Sequence, residues 1–103
     1  MSECCHPDNL DLTPSAQDEL LAAMARALSH PARVRILRLL LERSECIGGE
    51  VVAAVGLAQS TVSEHLRILR EAGLVEAESR PPRTCYRVRR DSVERFRDLI
   101  NAI

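Results

Sequence analysis

From residue 13 to residue 73 apolar positions recur every three or four residues, and from 74 to 89 every second residue. The first spacing is that of a half-buried helix and the second that of a half-buried strand. Leu20, Met24, Ala27 and Leu28 make the first stripe, entered through Thr13-Pro14-Ser15, where proline suits a first helical turn. Ser29-His30-Pro31 interrupts it, with His30 read as a turn or capping residue. A second helix begins at Pro31 and fades at Glu42-Arg43-Ser44. Its expected inward face is Val34, Leu37, Leu40 and Leu41, and its outward face Arg33, Arg35, Arg38 and Arg43. After Gly48-Gly49, residues 50–55 predict a short helix stopped by Gly56. Residues 59–72 predict a longer amphipathic helix with Val62, Leu66, Leu69 and Ile68 inward, closed by Gly73. Residues 74–78 and 84–89 alternate on either side of Arg80-Pro81-Pro82-Arg83, the pattern of a two-stranded hairpin with a basic tip. Asp91 or Ser92 is expected to cap a last helix carrying Val93, Phe96, Leu99, Ile100 and Ile103 on one face. Residues 1–12 have no usable period and read as a flexible arm. The predicted fold is mainly α with a small β-hairpin: one domain over 13–103 behind an N-terminal arm.

A short helix, a tight turn at Gly56 and a longer helix form a helix-turn-helix, and the hairpin directly after it makes the winged form. The second helix of such a unit must bury one face while offering small polar groups near its N-terminus to base edges. Gln59, Ser60, Thr61, Ser63 and His65 fit that need: glutamine can bond adenine bidentately, and serine and threonine donate or accept. The helix N-terminus itself favours phosphate. Arg67 lies further along, and Arg80, Arg83 and Arg87 give the hairpin positive charge. Glu64, on the exposed side, either accepts from a cytosine amino group or points away. A small helical domain that never meets DNA would show part of this pattern.

Composition adds three constraints. Only Tyr86 and Phe96 are aromatic, so the core of this 103-residue chain is expected to be aliphatic. The formal charge of −1 conceals a division: residues 1–25 hold five acids and no base, whereas the remainder holds all fourteen bases, every one arginine, against ten acids. That division weakens the objection an acidic balance would raise to a nucleic-acid partner. No apolar run approaches the roughly 20 residues of a membrane span. The first 20 residues have neither basic nor apolar signal regions, so a cytoplasmic protein is expected. No catalytic residues are assigned: there is no Cys-x-x-Cys, no βαβ pattern around the thiols and no phosphate loop. A metal scavenger with an idle helix-turn-helix is the other reading these features leave open.

Two stretches, LSHPARVRILRLL (28–40) and VGLAQSTVSEHLRILREAGLVEAE (55–78), with the arginine-bearing hairpin after them, resemble the ArsR/SmtB family of bacterial metal-responsive repressors. The resemblance covers about residues 15–100. It implies a winged-helix homodimer that binds double-stranded operator DNA and lets go when a metal or metalloid binds. It also implies that the first and last helices, about 15–28 and 91–103, form the dimer interface. The family often has serine before its reading helix; Ala58 stands there in this chain, so that cap is weaker or comes from elsewhere.

The four cysteines are Cys4, Cys5, Cys46 and Cys85. In a reducing compartment thiolate ligation or redox chemistry is favoured over disulfides. The last helix has no histidine, so the family's zinc site there is not expected. The adjacent pair Cys4 and Cys5 with Cys46 resembles arsenic sensors in which an N-terminal dithiol closes on a third thiolate across the dimer. The arm between Cys5 and the first helix can span about 25 Å, enough to reach a neighbouring subunit. Three soft sulfurs suit As(III) or Sb(III) as inducer, with no organic cofactor. Four ligands would suit cadmium, lead or zinc, with His6 or Cys85 as the fourth, and a thiol-redox or sulfide response is a further alternative. Buried structural cysteine is the plain alternative for Cys85.

Overall fold

The computed structural model describes residues 13–43 and 46–103, with the backbone alone for Cys46 and Ile47. The predicted arm, 1–12, lies outside the described residues. Helix α1 (Pro14–Ala27) starts where expected: the Thr13 side-chain oxygen accepts from the Ala16 N–H at 3.0 Å, with Pro14 in the first turn. Helix α2 (Pro31–Glu42) repeats the device with an imidazole, as the Ala32 N–H donates to His30 Nδ1 at 3.0 Å. Strand β1 (Cys46–Ile47) leads directly into helix α3 (Gly48–Val55), which begins two residues before the sequence pattern indicates. Helix α4 (Gln59–Glu71), strands β2 (Val75–Arg80) and β3 (Arg83–Val88) and helix α5 (Arg90–Asn101) complete the chain.

The sheet has three strands in the order β1-β3-β2, all antiparallel, where the sequence predicted two. Cys46 pairs with Tyr86 and Ile47 with Cys85. A two-residue strand is too short to show alternation, so its pairing is created by the open edge of β3. Between β2 and β3 the register sets Arg80 opposite Arg83, leaving Pro81 and Pro82 as the tip, joined by a cis peptide bond.

Two glycines sit where a side chain would be strained. Gly56 (φ 73°) ends α3 and Gly73 (φ 81°) ends α4, both in the left-handed region. At Gly73 the hydrogen bonds are those of a Schellman turn: its N–H donates to Arg70 O at 2.9 Å and the Leu74 N–H to Leu69 O at 3.0 Å. Leu74, fully buried, carries the chain from α4 into the hairpin.

The core is aliphatic, as the lack of aromatics requires. Ile36 and Leu40 from α2, Val51 from α3, Val62, Leu66 and Leu69 from α4, and Val75 and Val88 from the hairpin form one cluster. Burying each such side chain contributes about 1.5–3 kcal/mol. On α2 Leu37 and Leu40 point in as expected, whereas Val34 and Leu41 are only half-buried. Arg33, expected outward, turns inward because two acceptors lie within its reach. Helix α5 begins at Arg90, with Arg89 at its cap and no side-chain bond there, so neither Asp91 nor Ser92 caps it. It packs against α1; its Val93, part of the core cluster, and Leu99 are buried, leaving Ile100 at 47% and Ile103, beyond the helix end, at 92% exposure. No helix among the described residues is long and apolar enough to cross a membrane.

Candidate nucleic-acid interface

Helices α3 and α4 meet through Gly56, Leu57 and Ala58. The Gly56 N–H closes α3 on Val52 O at 3.0 Å, and Ala58, extended at φ −61° and ψ 149°, stands at the cap of α4. Alanine has no side-chain acceptor, so the first N–H groups of α4 receive no cap from it. The pattern of α4 then divides cleanly. Val62, Leu66 and Leu69 are buried in the core, while Gln59, Ser60, Thr61, Ser63, Glu64, Arg67 and Arg70 face solvent. Four small polar side chains therefore share the exposed N-terminal end of one helix.

His65 does not join them. Its residue exposure is 7%, so the ring cannot enter a groove from this position. Arg33 explains its placement. The Arg33 Nε–H donates to Ala27 O at 2.7 Å, and Nη1 lies 3.1 Å from His65 Nδ1. Arginine only donates, so Nδ1 accepts and neutral His65 carries its proton on Nε2. The His30 ring lies 4.6 Å away, centroid to centroid, at 51°. Burial, then the neighbouring His30 and Arg33, hold His65 below its ordinary 6.5, against a smaller pull upward from Glu64. His65 thus locks the reading helix to the α1–α2 turn. The signal in the sequence was its position: residue 65 falls three after Val62 and four before Leu69, on the buried stripe.

The arginines fall into two groups. Arg67 forks onto Glu64 and also reaches Glu71. Across the wing Arg87 bonds Glu76 at 3.0 Å and Glu78 at 3.3 Å, and Arg80 bonds Glu78 at 3.1 Å. These pairs push Arg67 and Arg87 up and Glu64 and Glu78 down from their ordinary ranges, through direct hydrogen bonds first. Arg83 at the wing tip and Arg70 on α4 are exposed and have no ion pair among the described residues. Between α3, α4 and the wing runs an open cleft of about 490 Å³, walled by Val52, Gln59, Ser63, Arg83 and Tyr86.

The four cysteines divide differently. Cys4 and Cys5 lie outside the described residues. The Cys46 backbone sits on β1, immediately before α3 and paired with the wing strand. Cys85 is buried at 5% exposure within β3. Among the described residues no three His, Cys, Asp or Glu side chains cluster as a metal site would need.

Comparison with known proteins agrees with this architecture. The arsR family of bacterial regulatory proteins matches residues 30–77. YgaV of Escherichia coli, an HTH-type transcriptional regulator, is 33% identical over 78 residues, which cover 76% of this chain and 79% of YgaV. Rv0081 of Mycobacterium tuberculosis, another HTH-type transcriptional regulator, is 46% identical over 59 residues, 57% of this chain. That stretch spans only about half of Rv0081, 52%. Its crystal structure superposes with a TM-score of 0.68 at 34% identity, covering 88% of this chain and 90% of the other. The solution structure of Mb0332 from Mycobacterium bovis, a homodimeric winged helix-turn-helix DNA-binding domain, superposes with a TM-score of 0.72 at 29% identity, covering 85% and 82%. With the helix-turn-helix, the hairpin wing and these relatives in agreement, the chain belongs to the ArsR family of bacterial regulatory proteins.

Proposed function

We propose that this protein is a homodimeric transcriptional repressor that releases operator DNA on binding As(III) or Sb(III). The observation that carries the DNA reading is the exposed run Gln59, Ser60, Thr61 and Ser63 on a helix whose other face is core. Those side chains enter the major groove and meet base edges, while Arg67, Arg80, Arg83 and Arg87 face the phosphates. His65 acts from behind, through Arg33, as a positioning residue. Two reading helices in a symmetric dimer address half-sites about one DNA turn apart. The half-buried Phe96 and exposed Ile100 on α5, beside α1, supply the apolar surface for pairing, and the homodimer of Mb0332 supports that assignment.

The ligand set is Cys4 and Cys5 from one chain with Cys46 from its partner, three soft donors for a thiophilic trivalent ion. The place of Cys46 supports a route from ligand to DNA. Its backbone adjoins α3 in sequence and pairs with Tyr86 in the wing, so a pull on it reaches both parts of the DNA face. Coupling of this kind is typically about 1–3 kcal/mol, and DNA must weaken metalloid binding by the same factor.

The test is fluorescence anisotropy on a duplex taken from the DNA upstream of the protein's own gene. Arsenite is expected to release the wild-type protein and to leave Cys46→Ser bound. Full release of Cys46→Ser removes that thiolate from the site. Release by cadmium, lead or zinc, or by peroxide or sulfide, with no response to arsenite would replace the proposed inducer with one of those.

A further inference from the structure

The span from the start of α4 to the end of β3, residues 59–88, holds five arginines and four glutamates. A surface meant to grip a polyanion therefore carries a formal charge of only +1. The acids are not scattered among the bases. Glu64 and Glu71 lie one turn before and one turn after Arg67 on the exposed side of α4, and both bond it. Glu76 lies directly across the strand pair from Arg87, and Glu78 is shared between Arg87 and Arg80. All four glutamates are exposed, so none is needed to satisfy a buried group.

We propose that Glu64, Glu71, Glu76 and Glu78 are specificity-determining residues, which hold Arg67, Arg80 and Arg87 in ion pairs and so suppress sequence-independent binding to the DNA backbone. The inference rests on the DNA-binding reading above and divides its arginines by function. An exposed ion pair is weak and opens readily. The acid nevertheless stays beside its arginine when a phosphate arrives, and a near-neutral unit attracts that phosphate far less than a bare guanidinium does. Backbone contacts supply almost all non-specific affinity, whereas base contacts discriminate. Damping the first term makes binding depend more on Gln59, Ser60, Thr61 and Ser63. Arg70 and Arg83, which carry no such partner among the described residues, remain as the full-strength phosphate contacts.

The salt dependence of binding counts phosphate neutralisation directly. If all ten arginines of a dimer's two faces neutralised phosphates, log K against log salt would fall with a slope of about −9. With only Arg70 and Arg83 at full strength the slope is about −4 per dimer. The experiment is anisotropy on a labelled 30-base-pair duplex of mixed sequence, titrated from 50 to 300 mM KCl. The proteins are wild type, Glu76→Gln with Glu78→Gln, and Arg83→Gln, each checked for folding by circular dichroism.

The expected result is a shallow wild-type slope near −4. The double glutamine variant, which removes the Glu76 and Glu78 ion pairs of Arg80 and Arg87, should steepen it toward about −7. It should also bind the mixed duplex at least tenfold tighter in 100 mM KCl. Arg83→Gln should flatten the wild-type slope by about 2. A wild-type slope near −9, or a folded double variant that keeps the wild-type slope and affinity, overturns the proposal while leaving DNA binding intact. Failure of all three proteins to bind any duplex even at 20 mM KCl takes down the DNA-binding reading and this inference with it.

Discussion

Replacing Arg33 with methionine keeps an apolar stem and removes the guanidinium that ties the reading helix to the α1–α2 turn. The native side chain donates to Ala27 O at 2.7 Å and meets His65 Nδ1 at 3.1 Å. A hydrogen bond involving a charged group contributes about 1.5–3 kcal/mol, and Arg33 is only half-buried, which favours the lower end. The two together come to about 3 kcal/mol, including the cost of leaving His65 Nδ1 buried without a donor. For a domain of this size that lowers Tm by about 12–24 °C. Urea unfolding at pH 7.5 and fixed protein concentration measures it, since the stability of any self-associating chain depends on concentration.

A pH series sharpens the test. The folded pKa of His65 lies below its ordinary 6.5, because burial and then His30 and Arg33 oppose its charge. Between that lower value and 6.5 the unfolded chain binds more protons than the folded one. The stability from neutral His65 is therefore fully present above 6.5 and lost as pH falls through this window, at no more than about 1.4 kcal/mol per pH unit. Arg33→Met removes the opposing guanidinium, so the loss in this window should shrink. A destabilisation under about 0.5 kcal/mol, well inside the effect of an ordinary surface substitution, would refute the lock. A pH slope identical in both proteins would refute its electrostatic part.

Two further outcomes follow from local geometry. Ala58→Ser places a hydroxyl at the uncapped start of α4, in a backbone conformation already suited to capping, and should raise stability by about 0.5–1 kcal/mol in thermal unfolding; a neutral or negative effect would show that those N–H groups are already satisfied. Leu40→Ala, at a side chain with no exposed area, should cost about 2–5 kcal/mol in urea unfolding, and a cost below 1 would mean that α2 does not anchor the core as described.

The order of elements, the aliphatic core and the helix-turn-helix with its wing were legible from the chain alone. Each depends on features within a few residues: the apolar period, proline after a capping side chain, and a glycine where the helix ends in the left-handed region. Thr13, His30, Gly56 and Gly73 all act as their neighbours in sequence imply. The polar run 59–63 was legible for the same reason, since a helix with a buried stripe must expose what lies opposite. Tertiary structure decided the rest. It drew Cys46 and Ile47 into the sheet, because only the folded hairpin offers β3's open edge. It turned Arg33 inward and buried His65, because their partners, 32 residues apart, meet only when α2 packs on α4. It paired Arg87 with Glu76 across the strands, converting a count of charges into a nearly neutral face. Local periodicity specifies which face of an element is buried; what that face touches is a property of the assembled chain.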